Sequence, residues 1–252
     1  MADIPEAGLA QKKRRIFVQG TNADTGASAG DFALWNARSG FDWQDQGAVD
    51  DVAMFAASTN VGDTSRTFSV VGIAGGKLIK KQFTLDASDS QTEIPIPSGQ
   101  ATGGWDQILD VIWDDVNADA LGNIFVYAVT GNTAGIPTDL NSIRGKIDIG
   151  EQRARMAVFE VPAGYKARIL RWFGAASDGR LRLRVSRLGN ALGFETVDEH
   201  DAAGGPLDRG LPPGDPRFSL LAGALVKMTL DTDTAATSTA AGGFEILLLK
   251  DE

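Results

Sequence analysis

The 252-residue sequence contains no cysteine and a single histidine. Without cysteine there is no disulfide and no thiolate metal site, so durability must come from packing or from association of subunits. One histidine, His200, with no cysteine or second histidine beside it excludes the usual zinc sites and the metalloprotease His pair. No apolar run approaches the ~20 residues that cross a membrane, and no hydrophobic secretory segment opens the chain; a soluble protein made in the cytoplasm is expected. A phosphate-cradling glycine loop ahead of Lys-Ser/Thr is missing, as is a dinucleotide fingerprint, so no cofactor is expected. Cations are the minority, 24 Lys and Arg against 33 Asp and Glu. The resulting charge of −9 argues against nucleic acid as a partner of the whole surface, because phosphate contacts need clustered Lys and Arg.

What is present is strand and turn. Glycine is abundant at 30, hydrophobic residues make up 43 %, and the apolar runs are short and separated by Gly, Asp, Asn, Ser and Pro. Residues 156–189 say this most plainly. Three runs, 156–161, 165–173 and 180–188, read as strands of an antiparallel sheet. In the third, Leu181, Leu183 and Val185 alternate with Arg180, Arg182 and Arg184, a period of two that places the apolar side chains on one face. A slip of one residue would bury the arginines, so the register is strongly specified. Pro162 and Gly164 are placed as the second and fourth residues of a type I turn between the first two runs.

Along the rest of the chain, residues 1–15 read as an N-terminal basic arm ending in Lys12-Lys13-Arg14-Arg15. Residues 20–47 are loop-like. They hold Gly26-Ala27-Ser28-Ala29-Gly30, which matches the nucleophile-elbow pattern, but the polar stretch before it is not the buried strand an elbow requires. A strand over 67–73 is expected to turn at Gly75-Gly76 into a partner over 77–85. Residues 107–113 and 123–129 read as strands joined by an acidic hairpin turn. Within that turn Asp115, Asn117 and Asp119 are spaced like the first calcium-loop ligands, but Ala120 and Val126 stand where glycine and a bidentate glutamate belong, so no metal is expected. Residues 130–145 read as a connection between two β units. Residues 198–215 read as an exposed loop holding His200, and strands are expected over 225–230 and 244–249. Trp35, Trp43, Trp105, Trp113 and Trp172 are expected in core or interface rather than as a sugar platform.

The order of features resembles virion structural proteins of tailed bacteriophages. It is carried by Leu34-Trp35-Asn36, Phe41-Asp42-Trp43, Gly122-Asn123-Ile124-Phe125-Val126, Ala157-Val158-Phe159-Glu160-Val161-Pro162-Ala163-Gly164-Tyr165 and Gly243-Phe244-Glu245-Ile246-Leu247-Leu248-Leu249. The resemblance implies a β-rich, non-enzymatic protein repeated in the particle, and hence localisation in the virion. The expected fold is all-β with two β-rich units: residues 16–145, and residues 146–252 as an antiparallel sandwich of jelly-roll type. The expected role is capsid decoration or cement. A neck or tail component is the close alternative, and a carbohydrate-binding receptor-recognition module the distant one. Expected partners are copies of the chain itself, as a trimer or ring, and the major capsid protein or another virion protein; no membrane is expected. No catalytic residue is assigned. The expected assembly surface is the arginine stripe Arg180, Arg182 and Arg184, with Arg168 on the same outer face of a neighbouring strand, and the basic run Lys12, Lys13, Arg14 and Arg15.

Overall fold

A computed structural model describes residues 13–22, 30–33, 52–75, 77–100, 103–115, 118–154, 156–162, 164–190, 193–232 and 238–250. These residues are nearly all β, and the strands pair antiparallel. The chain opens with β1 (Lys13–Asn22) and β2 (Gly30–Ala33). Next come β3 (Phe55–Ser58), β4 (Thr67–Ala74), β5 (Lys77–Thr84), β6 (Ile94–Pro95), β7 (Gln107–Trp113) and β8 (Ile124–Tyr127). A short hairpin, β9 (Asn132–Thr133) with β10 (Ile136–Pro137), precedes β11 (Ile143–Ile147). The last stretch holds β12 (Val158–Glu160), β13 (Tyr165–Ala176), β14 (Arg180–Asn190), β15 (Glu195–Asp201) and β16 (Leu207–Gly210). It ends with β17 (Ser219–Leu220), β18 (Leu225–Thr232) and β19 (Ala240–Lys250).

Two compact units result, one from residues 52–154 and one from residues 13–33 with 156–250. The second is a jelly roll, and the pairing defines it. The first strand pairs with the last (β1 with β19), the second with the second-last (β2 and β12 with β18), the third with β16 and β17, and β14 with β15. Rolling up such an antiparallel ribbon gives two facing sheets, ordered β1-β19-β13-β16 and β12-β18-β14-β15. The core lies between them. Leu181, Leu183 and Val185 point inward and are fully buried, together with Ile169, Trp172, Val226, Met228, Leu230, Phe244 and Ile246. The close approach of the sheets depends on two glycines paired across β13 and β19, Gly174 and Gly242. A Cβ on Gly242 would stand 2.6 Å from Met228 Cε, and one on Gly174 2.9 Å from Leu181 Cδ1.

The second strand of the roll is made in two pieces. Gly30–Ala33 pairs with Thr232 back to Thr229, and Val158–Glu160 continues down the same strand from Lys227 to Leu225. Between them Met228 N–H donates to the carbonyl of Ala157 at 2.9 Å. The other unit is therefore inserted into a single strand of the jelly roll. That inserted unit has a four-stranded sheet β11-β8-β3-β6 and a three-stranded sheet β5-β4-β7. Its core holds Phe68, Val70, Trp105, Ile108, Val111, Ile124, Val126 and Tyr127. Gly145 on β11 lies against β7, where a Cβ would meet Val111 Cγ2 at 2.6 Å.

Several sequence expectations change. Lys13, Arg14 and Arg15 belong to strand β1 and not to a tail, because β19 supplies their backbone partners; Lys12 lies outside the described residues. The unit boundary falls after residue 154, and the chain before residue 45 that is described belongs with the C-terminal sandwich. The expected connection over 130–145 ends inside a strand, Ile143–Ile147. His200 sits in strand β15 rather than in a loop. The acidic turn after Trp113 links β7 and β8, which lie in different sheets, so it closes no hairpin. At Pro162 the turn bond runs from Tyr165 N–H to the Pro162 carbonyl at 3.2 Å, making Pro162 the first residue and Gly164, with φ 75°, the third. A positive φ at the third position is the requirement of a type II turn.

Candidate interaction surfaces

The arginine stripe on β14 faces outward as its alternation demands, and carboxylates of the same chain bracket it. Arg180 stands opposite Asp201 on one side and Asp231 on the other. Arg182 makes an ion pair of 2.8 Å with Asp231 and a longer one of 3.7 Å with Glu199. Arg184 donates to the carbonyl of Phe194 at 3.0 Å, and burial holds its pKa below the usual guanidinium value. Arg187, not singled out by the sequence, binds Glu195 at 2.6 Å and donates to the carbonyls of Arg217 and Ser219 at 2.8 and 3.2 Å, which fastens the loop before β17. Arg187 falls out of the period-two series of Arg180, Arg182 and Arg184, so the alternation does not mark it.

Arg168 is not part of that stripe. It lies on β13, in the other sheet, and donates to the Pro212 carbonyl at 3.1 Å. Instead the register brings it together with the N-terminal basic run. Across β1, β19 and β13, Lys13, Leu249 and Lys166 form one row, and Arg15, Leu247 and Arg168 the next. The third row places Glu245 opposite Phe17 and Arg171. Glu245 is only 5 % exposed although it points away from the core, because Arg15 and Arg171 close over it at 3.2 and 3.3 Å. Asp208, exposed on the edge strand β16, reaches Arg171 at 3.7 Å. Among the described residues, then, this face sets exposed Arg15 and Lys166 and half-exposed Arg168 and Arg171 around Leu247 and Leu249. Arg14 takes the alternate position, opposite Leu248.

A second surface is built at one end of the inserted unit by a buried carboxylate. Asp63 is fully buried and accepts from Ser58 Oγ at 2.6 Å, Leu121 N–H at 2.9 Å and Gly122 N–H at 3.0 Å. Asn60 Nδ2 donates to the Leu121 carbonyl at 3.2 Å, and Ile149 N–H to Asn123 Oδ1 at 3.1 Å. Gly150 N–H closes on the Ala120 carbonyl. Loops 60–63, 118–123 and 148–150 are thereby locked together, and they hold Val61, Leu121 and Ile149 57, 52 and 62 % exposed. Such isolated aliphatics amid Gly and Asp carry no periodicity, so nothing in the sequence marks them. Asp119 and Asp148 stand in the same loops, Asp148 paired with Lys146 at 2.5 Å, and Glu151 follows directly.

The chemistry-bearing residues considered in the sequence are spent on structure. The indole N–H groups of Trp105 and Trp113 donate to the carbonyls of Ile96 and Ala118. That of Trp172 donates to Asp198 at 2.8 Å, and Arg209 clamps the same carboxylate at 2.7 and 2.9 Å. All three rings are buried and offer no platform; Trp35 and Trp43 lie outside the described residues. His200 Nε2 meets the Gly205 carbonyl at 2.8 Å. Asp115 pairs with Arg66 and Asp119 with Gln152. Among the described residues no three His, Cys or acidic side chains converge as metal ligands. Ser28 and Asn117 lie outside the described residues.

No family model and no curated protein matches the chain. Among solved structures it aligns with infectious bursal disease virus Gx strain at 11 % identity, over 98 % of this chain and 74 % of that chain, with a TM-score of 0.23. It aligns also with the triple jelly-roll protein of an archaeal virus turret assembly, at 11 % identity over 97 % and 61 % of the two chains, TM-score 0.21. A third is the infectious bursal disease virus VP2 subviral particle, at 9 % identity over 95 % and 75 %, TM-score 0.18. Superpositions this loose carry no weight; the jelly roll rests on strand pairing alone.

Proposed function

We propose that this chain is a non-enzymatic structural protein of a tailed-phage virion, bound to the capsid as a decoration or cement subunit. It works as a homo-oligomer, a trimer or ring, on the major capsid protein or another virion protein. The observation that carries the reading is how the polar side chains are used. Arg182, Arg187 and Arg209, Asp63 and Asp198 tie strands and loops of their own unit together. That is the use expected of a scaffold whose surfaces act by contact. The sequence resemblance supplies the particle, and the jelly roll is a fold shared by capsid proteins and lectins, so fold alone decides neither. Against the lectin alternative stand the three buried tryptophans.

Electron micrographs of particles made with and without the protein test the reading. Density that disappears from the capsid surface, with particles that lose genome at lower temperature, is the expected outcome. Density missing from the neck or tail would assign it there, and a positive glycan array with unchanged particles would overturn the structural role.

A further inference from the structure

We infer that copies of this chain associate head to side: the aliphatic, acidic end of the inserted unit of one copy seats on the cationic β1-β19-β13 face of the jelly roll of the next. This deepens the oligomer proposed above, but it rests only on the two surfaces. One surface presents Val61, Leu121 and Ile149 on loops that carry Asp119, which accepts from Gln152, and Asp148, which pairs with Lys146 at 2.5 Å, with Glu151 directly after the third loop. The other presents Leu247 and Leu249 flanked on β1 and β13 by Lys and Arg. Each has an apolar centre and a charged surround, and the charges are opposite. The whole chain repeats the asymmetry. Residues 45–154 carry 7 Lys and Arg against 15 Asp and Glu, net −8, while the remainder carries 17 against 18, net −1. Opposed fields of this kind steer encounter and fix orientation.

Both surfaces are also prepared for contact. The Asp63 hydrogen bonds hold the aliphatic loops in place before any partner arrives, which lowers the ordering cost of binding. On the jelly roll, Glu245 draws Arg15 and Arg171 over itself, and Lys166 and Arg168 lie on the same face, Arg168 held by the Pro212 carbonyl. Because the two surfaces differ, the contact is heterologous. It generates a closed ring where the rotation closes and a filament where it does not.

The test is sedimentation velocity on the full chain up to about 100 µM, a range that reveals micromolar association. Wild type is expected to shift to larger species with concentration, and to weaken at least about tenfold in Kd when salt rises to about 0.5 M, where the Debye length is a few ångströms. The face variant Lys166→Glu/Arg168→Glu and the tip variant Asp119→Lys/Glu151→Lys are each expected to stay monomeric with wild-type circular dichroism. Mixing the two variants restores opposite charges at the contact and is expected to restore association, which a folding defect would not do. A wild type that is monomeric throughout overturns the inference, as does association that neither variant weakens. Capsid incorporation is read separately on particles, so a monomer that still incorporates would leave the virion reading standing.

Discussion

Ala33 and Val158 stand two register positions apart along β18, opposite Thr229 and Lys227, although the whole inserted unit separates them in the chain. Ala157 takes the place between them, its carbonyl accepting from Met228. Backbone pairing along β18 therefore passes from Ala33 to Ala157 without a gap. Joining Ala33 directly to Ala157 is expected to give a folded sandwich with a cooperative thermal transition. A chain that instead shows no β signal by circular dichroism would mean the inserted unit is required for folding.

Burial pushes the Asp110 carboxyl up from 3.8 to about 6, against the pull of Arg153, with which it forms an ion pair. The folded state then holds a proton more tightly than the unfolded chain. Its contribution to stability is full below pH 3.8 and is lost as pH rises through about 6. At most about 3 kcal/mol is at stake for a shift of this size. Asp110→Asn removes the titration, so the Tm of wild type relative to this variant should fall between pH 4 and pH 7. A difference that stays flat would contradict the burial of this group.

Gly242→Ala forces a methyl to within 2.6 Å of Met228 Cε and 2.8 Å of the Phe173 carbonyl. Overpacking between two sheets of this kind costs about 1–3 kcal/mol. Gly210→Ala is the control, since a Cβ there meets nothing within 4 Å. Denaturant midpoints should drop for the first and hold for the second.

Arg182 is three-quarters buried between Asp231 and Glu199, so its loss is felt inside the subunit. Arg182→Ala is expected to cost about 1–2 kcal/mol, more than an exposed pair because Asp231 is left half-desolvated. A double-mutant cycle with Asp231→Ala should show coupling of about 0.5 kcal/mol or more. Additive losses would mean the pair contributes nothing.

Local pattern made the strands legible and long-range pairing did not. The run 107–113 is β7, β4 pairs with β5 as expected of 67–73 and 77–85, and Leu181, Leu183 and Val185 face the core as alternation requires. Alternation, however, gives a strand two faces without saying which sheet it joins, so it does not separate Arg168 on β13 from the arginines of β14. The charge of Lys12-Lys13-Arg14-Arg15 hid a strand whose partner, β19, lies at the other end of the chain. The divided second strand was invisible for the same reason, since only β18 shows that β2 and β12 are one line. Leu121 and Ile149 are single apolar residues in turns, and only Asp63, buried by contacts distant in sequence, reveals that they are held together.

The pairing of Lys13 with Leu249 sets an order on synthesis. Everything the inserted unit needs is made before β12 emerges, whereas β1 must wait for the final strand before its backbone finds a partner. Through that interval it is an unpaired strand, the kind of segment that recruits neighbouring chains. Three consecutive cations, Lys13, Arg14 and Arg15, lie in its first half. Charge of one sign on a waiting strand repels its copies on neighbouring nascent chains. Lys13 and Arg15, which stand opposite Leu249 and Leu247 in the finished protein, thus also guard the unfinished one.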